Sequence, residues 1–187
     1  MNGSPRLQRD AVASLFLLVA ACGGGGDPPA DAPAPPSEPA SATCDIADFK
    51  ATALARINQW RASGADCGTQ GVFGPAPALA WNDRLTQAAA GHSHDMVEHN
   101  FLSHVGSDGR TFGQRIAATG YASAGAGEYA AGGYRTIQEV IDGWIDSDGH
   151  CATLMHPGFK DVGLACERGT AANTYPTYWT MDLAAPK

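Results

Sequence analysis

Residues 161–184, DVGLACERGTAANTYPTYWTMDLA, decide the fold class. Val162, Leu164 and Cys166 alternate with Gly163 and Ala165. Trp179, Met181 and Leu183 alternate with Thr180 and Asp182. A repeat of two sends alternate side chains to opposite sides of a pleated chain, so both runs read as strands with one face on a core.

Everything upstream of that stretch reads as helix or loop. Thr136 and Glu139 fit a capping box, in which each side chain satisfies the other's backbone amide. Behind it, Ile137, Val140, Ile141, Trp144 and Ile145 form a continuous apolar face, predicting a helix over Thr136–Ser147. Gly149 to Leu154 reads as one more helical turn. Ile46, Phe49, Ala53, Ile57 and Trp60 predict a first helix from Asp45, taken as its N-cap, to about Ala62. A second helix starts at the Asn82 cap with Leu85, Ala89, His92 and Met96 on one stripe and ends at Asn100. A third covers Thr111 to Ala118 and stops at Gly120. Gly120 to Gly133, mostly Gly, Ala and Tyr, reads as a loop with one short strand at most. Helices first and strands late argue for an α+β domain with helices packed on an antiparallel sheet.

The N-terminal 42 residues do not belong to that domain. Residues 1–21 read as a signal peptide: Arg6 and Arg9 precede a short apolar run, Ala11 to Ala21, far below the roughly 20 residues of a membrane span. The run ends Val19-Ala20-Ala21-Cys22, which resembles the bacterial lipobox and implies lipidation at Cys22. Residues 23–42 are nearly all Gly, Pro, Ala, Ser and acid, a composition that cannot build a core and predicts a disordered tether. Residues 43–187 suit one domain.

With Cys22 lipidated, Cys44, Cys67, Cys151 and Cys166 remain, and an exported chain sits where disulfides persist. Three pairings are open. Cys44–Cys67 with Cys151–Cys166 is preferred here, because each closes a local loop. No Cys-x-x-Cys suggests a thiolate zinc site. The formal net charge is −7, and the chain without its signal carries 10 basic and 18 acidic residues, a net −8. Such a surface repels phosphate backbones, so nucleic acid is not expected as a partner.

Six histidines are many for this chain. His92 and His94 cannot share a metal, because two positions on a helix point about 200° apart. His92 lies in the apolar stripe and reads as a buried, hydrogen-bonded core residue, while His94 and His99 read as surface. His104 follows the end of the second helix and precedes Gly106-Ser107-Asp108-Gly109. His150 sits at the break Ser147-Asp148-Gly149-His150. Both positions suit a cleft edge. Glu128 stands alone among glycines.

Together these segments resemble one family. Asn58-x-x-Arg61, Leu79-x-Trp81 and Ala90-x-His92-Ser93-x-Asp95-Met96 are followed by Phe101-x-Ser103-His104 and Asp108-Gly109-Arg110-Thr111. Then come Arg115, Gly120-Tyr121, Gly127-Glu128, Trp144-x-x-Ser147-x-Gly149-His150 and Asp161-Val162-Gly163. Their kinds and order resemble bacterial CAP (SCP-like) domains, the superfamily of cysteine-rich secretory proteins, venom antigen 5 and plant pathogenesis-related proteins. The resemblance implies a three-layer α-β-α sandwich with an antiparallel central sheet. It also implies a cleft lined by His104, His150 and Glu128. Many members carry a second glutamate where this chain has Ser147, and an asparagine where it has Tyr129.

Two imidazoles and a carboxylate form a sensible set for zinc or another divalent cation, with water as fourth ligand. The expected metal ligands are therefore His104, Glu128 and His150, and the expected ligand-binding cleft adds Ser147. The sequence has no His-Glu-x-x-His helix and no Gly-x-Ser-x-Gly elbow. The expected function is thus an extracytoplasmic lipoprotein carrying a binding or interaction module. Its expected partners are a lipid, a peptide or an envelope protein, and only the lipid anchor touches the membrane, the outer one if the host is diderm. The alternative is a metal-dependent hydrolase, such as a protease, using the same cleft. A Ser–His–Glu nucleophile built on Ser103 or Ser147 is a further, weaker reading.

Overall fold

The computed structural model describes residues 42–187. The expected signal peptide, Cys22 and nearly all of the expected tether lie outside them. Among the described residues no helix is long and apolar enough to cross a membrane.

The elements run α1 (Phe49–Ser63), β1 (Ala65–Asp66), β2 (Val72–Phe73), β3 (Ala80–Trp81), α2 (Asp83–His99), α3 (Phe112–Ala118), β4 (Ser123–Gly132), α4 (Ile137–Ile145), α5 (Asp148–Leu154), β5 (Asp161–Arg168) and β6 (Thr177–Pro186). The main sheet has the order β3-β5-β6-β4. β5–β6 and β6–β4 are antiparallel, but β3 runs parallel to β5, so the sheet is mixed rather than purely antiparallel.

The expectation of one buried face is corrected as well, because β6 is buried from Thr177 to Ala184. The alternation sorts large side chains from small ones, not core from water. Val162, Leu164, Cys166, Trp179, Met181 and Leu183 join α1, α4 and α5 in the main core. On the other face, Ala165 and Ala184 pack with Ala88, Ala89 and Ala90 of α2. A Cβ on Gly163 would collide with the backbone of Leu85 and Thr86, so the missing side chain lets α2 lie directly on the sheet. Helices on both faces make the α+β three-layer arrangement.

The local signals at Asn82 and Thr136 hold, and the structure adds a third box at Thr111. Asn82 accepts from the amides of Arg84 and Leu85, and the boxes Thr111/Gln114 and Thr136/Glu139 are both closed. The first helix departs from expectation. Asp45 and Asp48 have φ of 56° and 51°, neither caps the helix, and α1 begins at Phe49. The Asp45 carboxylate instead accepts from Arg168 at 2.9 Å. Residues 120–133 hold the ten-residue β4 rather than a loop. Ladder bonds from β6 hold this edge strand despite its poor propensity, and Thr153 and Tyr175 pack where Gly127 and Gly132 lack side chains.

The expected cysteine pairing is also overturned. The disulfides are Cys44–Cys166 and Cys67–Cys151, with Cα–Cα distances of 5.3 and 5.4 Å. Ahead of α1, the chain runs beside β5, where Thr43 bridges Cys166. Cys67 lies in the turn packed on α5. Tertiary packing, not closeness in sequence, chose the partners.

Two of the motif residues act as struts. Asn58 exchanges both amide hydrogen bonds with the Leu79 backbone, at 3.0 and 2.8 Å. Arg61 is fully buried and donates to the carbonyls of Pro77, Leu154 and His156, which ties α1 to the end of α5.

Candidate functional site

The loop carrying His104 is pinned from three directions. Asn100 ends α2 in the left-handed conformation, at φ 50°. His92 is fully buried, as expected, and its Nε2 donates to the carbonyl of Ser103 at 2.7 Å. Burial pushes the His92 imidazole below the usual histidine range, favouring the neutral ring. From α3, Arg115 Nη2 donates to the carbonyl of His104 at 3.1 Å, and its Nη1 to that of Arg110 at 2.8 Å.

Glu128 lies beneath this loop on β4 with its side chain fully enclosed. Its Oε2 accepts from Arg115 at 2.5 Å, and its Oε1 from His104 Nδ1 at 2.9 Å. The His104 side chain is half exposed. The Glu128 hydrogen bond holds its pKa above the ordinary histidine value, against the effect of burial. Arg115 thus clamps both ends of the loop and neutralises the carboxylate behind it. In the sequence Arg115 stands out only as one of the ordered motif residues. Its spacing before Gly127-Glu128 was the one available signal.

His150 stands on α5, on the other side of edge strand β4. Successive strand residues point to opposite faces, so Glu128 supports His104 while Tyr129 supports His150. Tyr129 donates to the His150 carbonyl at 2.8 Å and packs its ring 5.1 Å from the imidazole. The tyrosine at the position of the family's asparagine therefore belongs to the main core. Burial lowers the His150 pKa, and the charge of His104 lowers it further, so the two imidazoles sense each other around the strand.

Ser147 Oγ hydrogen-bonds His150 Nδ1 at 3.0 Å. Ser103 Oγ accepts from the Val105 amide at 3.0 Å. The components of a Ser–His–Glu nucleophile are thereby split: the serine sits with His150 and the carboxylate with His104. His94 and His99 are on the surface, as expected.

Glu128 is a poor third metal ligand, since both of its oxygens accept from protein donors. Among the described residues no three His, Cys, Asp or Glu side chains are placed to hold a metal ion. Two defined concavities lie away from these residues. One of about 470 Å³ lies between α2 and α3 and is lined by Gly91, Asp95, Glu98 and Arg115 among others. The other, of about 430 Å³, lies beside Trp60, Cys67 and Asp148. Neither is lined by His104, Glu128 or His150, and Arg115 touches both the first concavity and the imidazole site.

A family model described as the cysteine-rich secretory protein family matches residues 54–183. An uncharacterized membrane protein of Bacillus subtilis, YlbC, is 28% identical over 101 residues, covering 54% of this chain and 29% of that protein. This chain therefore matches less than a third of that relative's length. Among solved structures, an extracellular protein containing an SCP domain from Bacillus anthracis is 27% identical, with a TM-score of 0.51 over 59% of this chain and 34% of that one. An outer surface protein from Borrelia burgdorferi shares the fold at 17% identity, with a TM-score of 0.61 over 74% of this chain and 92% of that one.

Proposed function

The chain belongs to the cysteine-rich secretory protein (CAP) family, and from this premise we propose that it works outside the cytoplasm as a binding module tethered by a lipidated Cys22. Its ligand is an amphiphile or a peptide with a hydrogen-bonding head group. The observation that carries the reading is the state of His104. This half-exposed imidazole is held by a fully enclosed carboxylate that is itself paired with Arg115, and is hydrogen-bonded to no hydroxyl or thiol among the described residues. Such an arrangement presents a fixed N–H or cation to a ligand and lacks an in-line nucleophile. Leu102 and Val105 flank His104 and are 41% and 49% exposed, which supplies apolar contact beside the polar one.

The compartment rests on two disulfides, which persist in oxidising spaces, and on the likeness to an extracellular protein and an outer surface protein. The anchor rests on Val19-Ala20-Ala21-Cys22 alone. Gly23 rather than an aspartate follows the cysteine, which favours the outer membrane in a diderm host. Cys22→Ser should move the protein from the membrane fraction to the soluble one.

Native mass spectrometry of the full chain with a medium-chain fatty acid and with a short acidic peptide tests the binding reading. One of the two should be retained, and His104→Ala should weaken its retention by about tenfold, the worth of one charge-assisted hydrogen bond. Equal retention by the variant overturns the assignment. Ester or peptide hydrolysis that disappears in Ser147→Ala would favour the hydrolase reading.

A divalent ion is the second reading, and one feature favours it. Glu128 fixes His104 through Nδ1, as carboxylates behind metal-bound imidazoles do, leaving Nε2 available to an ion. His150 would be the other ligand, with Glu128 orienting rather than ligating. Zinc titration by calorimetry tests this: His104→Ala and His150→Ala should each abolish uptake, and His92→Ala should not.

A further inference from the structure

Glu128 has an acidic neighbour that the site as described leaves unused. Asp182 on β6 is its direct cross-strand partner. Directly opposed residues lie on the same face of a sheet, with Cβ atoms about 4.5–5.5 Å apart. Asp182 is 1% exposed, and the Glu128 side chain is fully enclosed. Two carboxyl groups therefore share one dry compartment between the sheet and the α2–α3 layer.

The donors engaged in that compartment serve Glu128, backbone carbonyls or the Thr180 hydroxyl, and the buried Nε of Arg115 has no partner among the described residues. From α3, Arg115 donates to Glu128 and to two carbonyls. From the loop, His104 donates to Glu128. From α2, His92 Nε2 lies 3.9 Å from Glu128 but donates to the Ser103 carbonyl. Also from α2, Ser93 donates to Thr180, two residues before Asp182. From β5, the residue opposite Asp182 is Gly163, which has no side chain and is covered by the α2 backbone. Asp182 has no cation of its own, and its Oδ1 has no hydrogen-bond partner among the described residues.

We propose that Asp182 is carried as a neutral carboxylic acid at physiological pH and acts through Glu128 as a positioning residue, confining the compartment's negative charge to the carboxylate that holds His104 and Arg115. Two adjacent carboxyls with one set of donors cannot both ionise without strong repulsion, and the group lacking donors keeps the proton. Burial first, and the nearby Glu128 second, push the Asp182 carboxyl well up, while Arg115 works the other way. Ionised, Asp182 would compete for Arg115 and loosen the support of His104. Asp182 plays this part in the unliganded protein, whatever the site binds.

Side-chain carboxyl NMR of the full chain, with labelled aspartate, tests it from pH 3 to 10. One Asp γ-carbon should keep the signature of a protonated acid at pH 7, and Asp182→Asn should remove that signal. Glu128→Gln should lower the proton affinity of Asp182 at least about tenfold, because the neighbouring charge is gone. A merely structural aspartate would show no such coupling. Should Asp182→Asn fail to fold, sequential connectivity assigns the signal and the Glu128→Gln comparison decides. Ionisation of Asp182 in the ordinary carboxylate range, or a midpoint unmoved by Glu128→Gln, overturns the proposal.

Discussion

Arg115 Nη2 lies 2.5 Å from Glu128 Oε2, and the Glu128 side chain is closed off from water behind the loop that carries His104. The same guanidinium holds the carbonyls of His104 and Arg110. One side chain thus carries the charge balance of the site and the shape of its loop. Removing one member of a buried pair strands the other, at a cost of about 3–5 kcal/mol. Arg115→Ala should lose stability on that scale in chemical denaturation. It should also broaden the His104 resonances, since the loop loses two of its anchors.

His92 should matter for stability first. Its ring fills a fully buried site and satisfies the Ser103 carbonyl. His92→Ala opens a cavity and orphans an acceptor, together about 2–4 kcal/mol. His104→Ala, at a half-exposed ring, should cost far less. Equal losses in parallel denaturation series would contradict the division of the two histidines into core and site.

Ring NMR should order the imidazoles by environment. His104 should titrate above the ordinary histidine range, because its hydrogen bond to Glu128 favours the cation. His92 and His150 should titrate below it, because burial disfavours their cations. The stability consequences have opposite signs. The His104 contribution is complete below the unfolded-state pKa, about 6.5, and fades as pH rises through its folded value. The His92 and His150 contributions are present above about 6.5 and are lost as pH falls through their folded values. Glu128→Gln should bring His104 down, and an unchanged midpoint would contradict the pairing.

Peptide mapping without reduction should recover Cys44 joined to Cys166 and Cys67 joined to Cys151. These bridges close loops of 122 and 84 residues in sequence separation. Each should limit the unfolded chain, so Cys44→Ser with Cys166→Ser should cost about 2–5 kcal/mol.

Gly163→Ala offers a test of the layer contact. Its new methyl would meet the α2 backbone at Leu85 and Thr86, which cannot rotate away. A loss of about 1–3 kcal/mol is expected from overpacking. Neutral behaviour in thermal melts would mean that α2 rides higher on the sheet.

Local chemistry was legible in the sequence wherever the deciding partners lie within a few residues. The Asn82 cap, the Thr136–Glu139 box and the two late strands follow from side chains and amides that meet inside one turn or one pleat. The ordered motifs around His92, His104, Glu128 and His150 also announced the family that the match over residues 54–183 shows. Features set by distant partners were not legible. β4 exists because β6 supplies its ladder, and the disulfides join cysteines that only the folded sheet and α5 bring together. The roles of the acids were likewise decided in three dimensions. Glu128 supports His104 rather than standing open as a ligand because α3 delivers Arg115 to its other oxygen. Asp182 looked like the solvent side of a strand until α2, seated on Gly163, closed the second face of the sheet. Periodicity records which side chains share a face, but what covers that face depends on the packing of elements far apart in the chain.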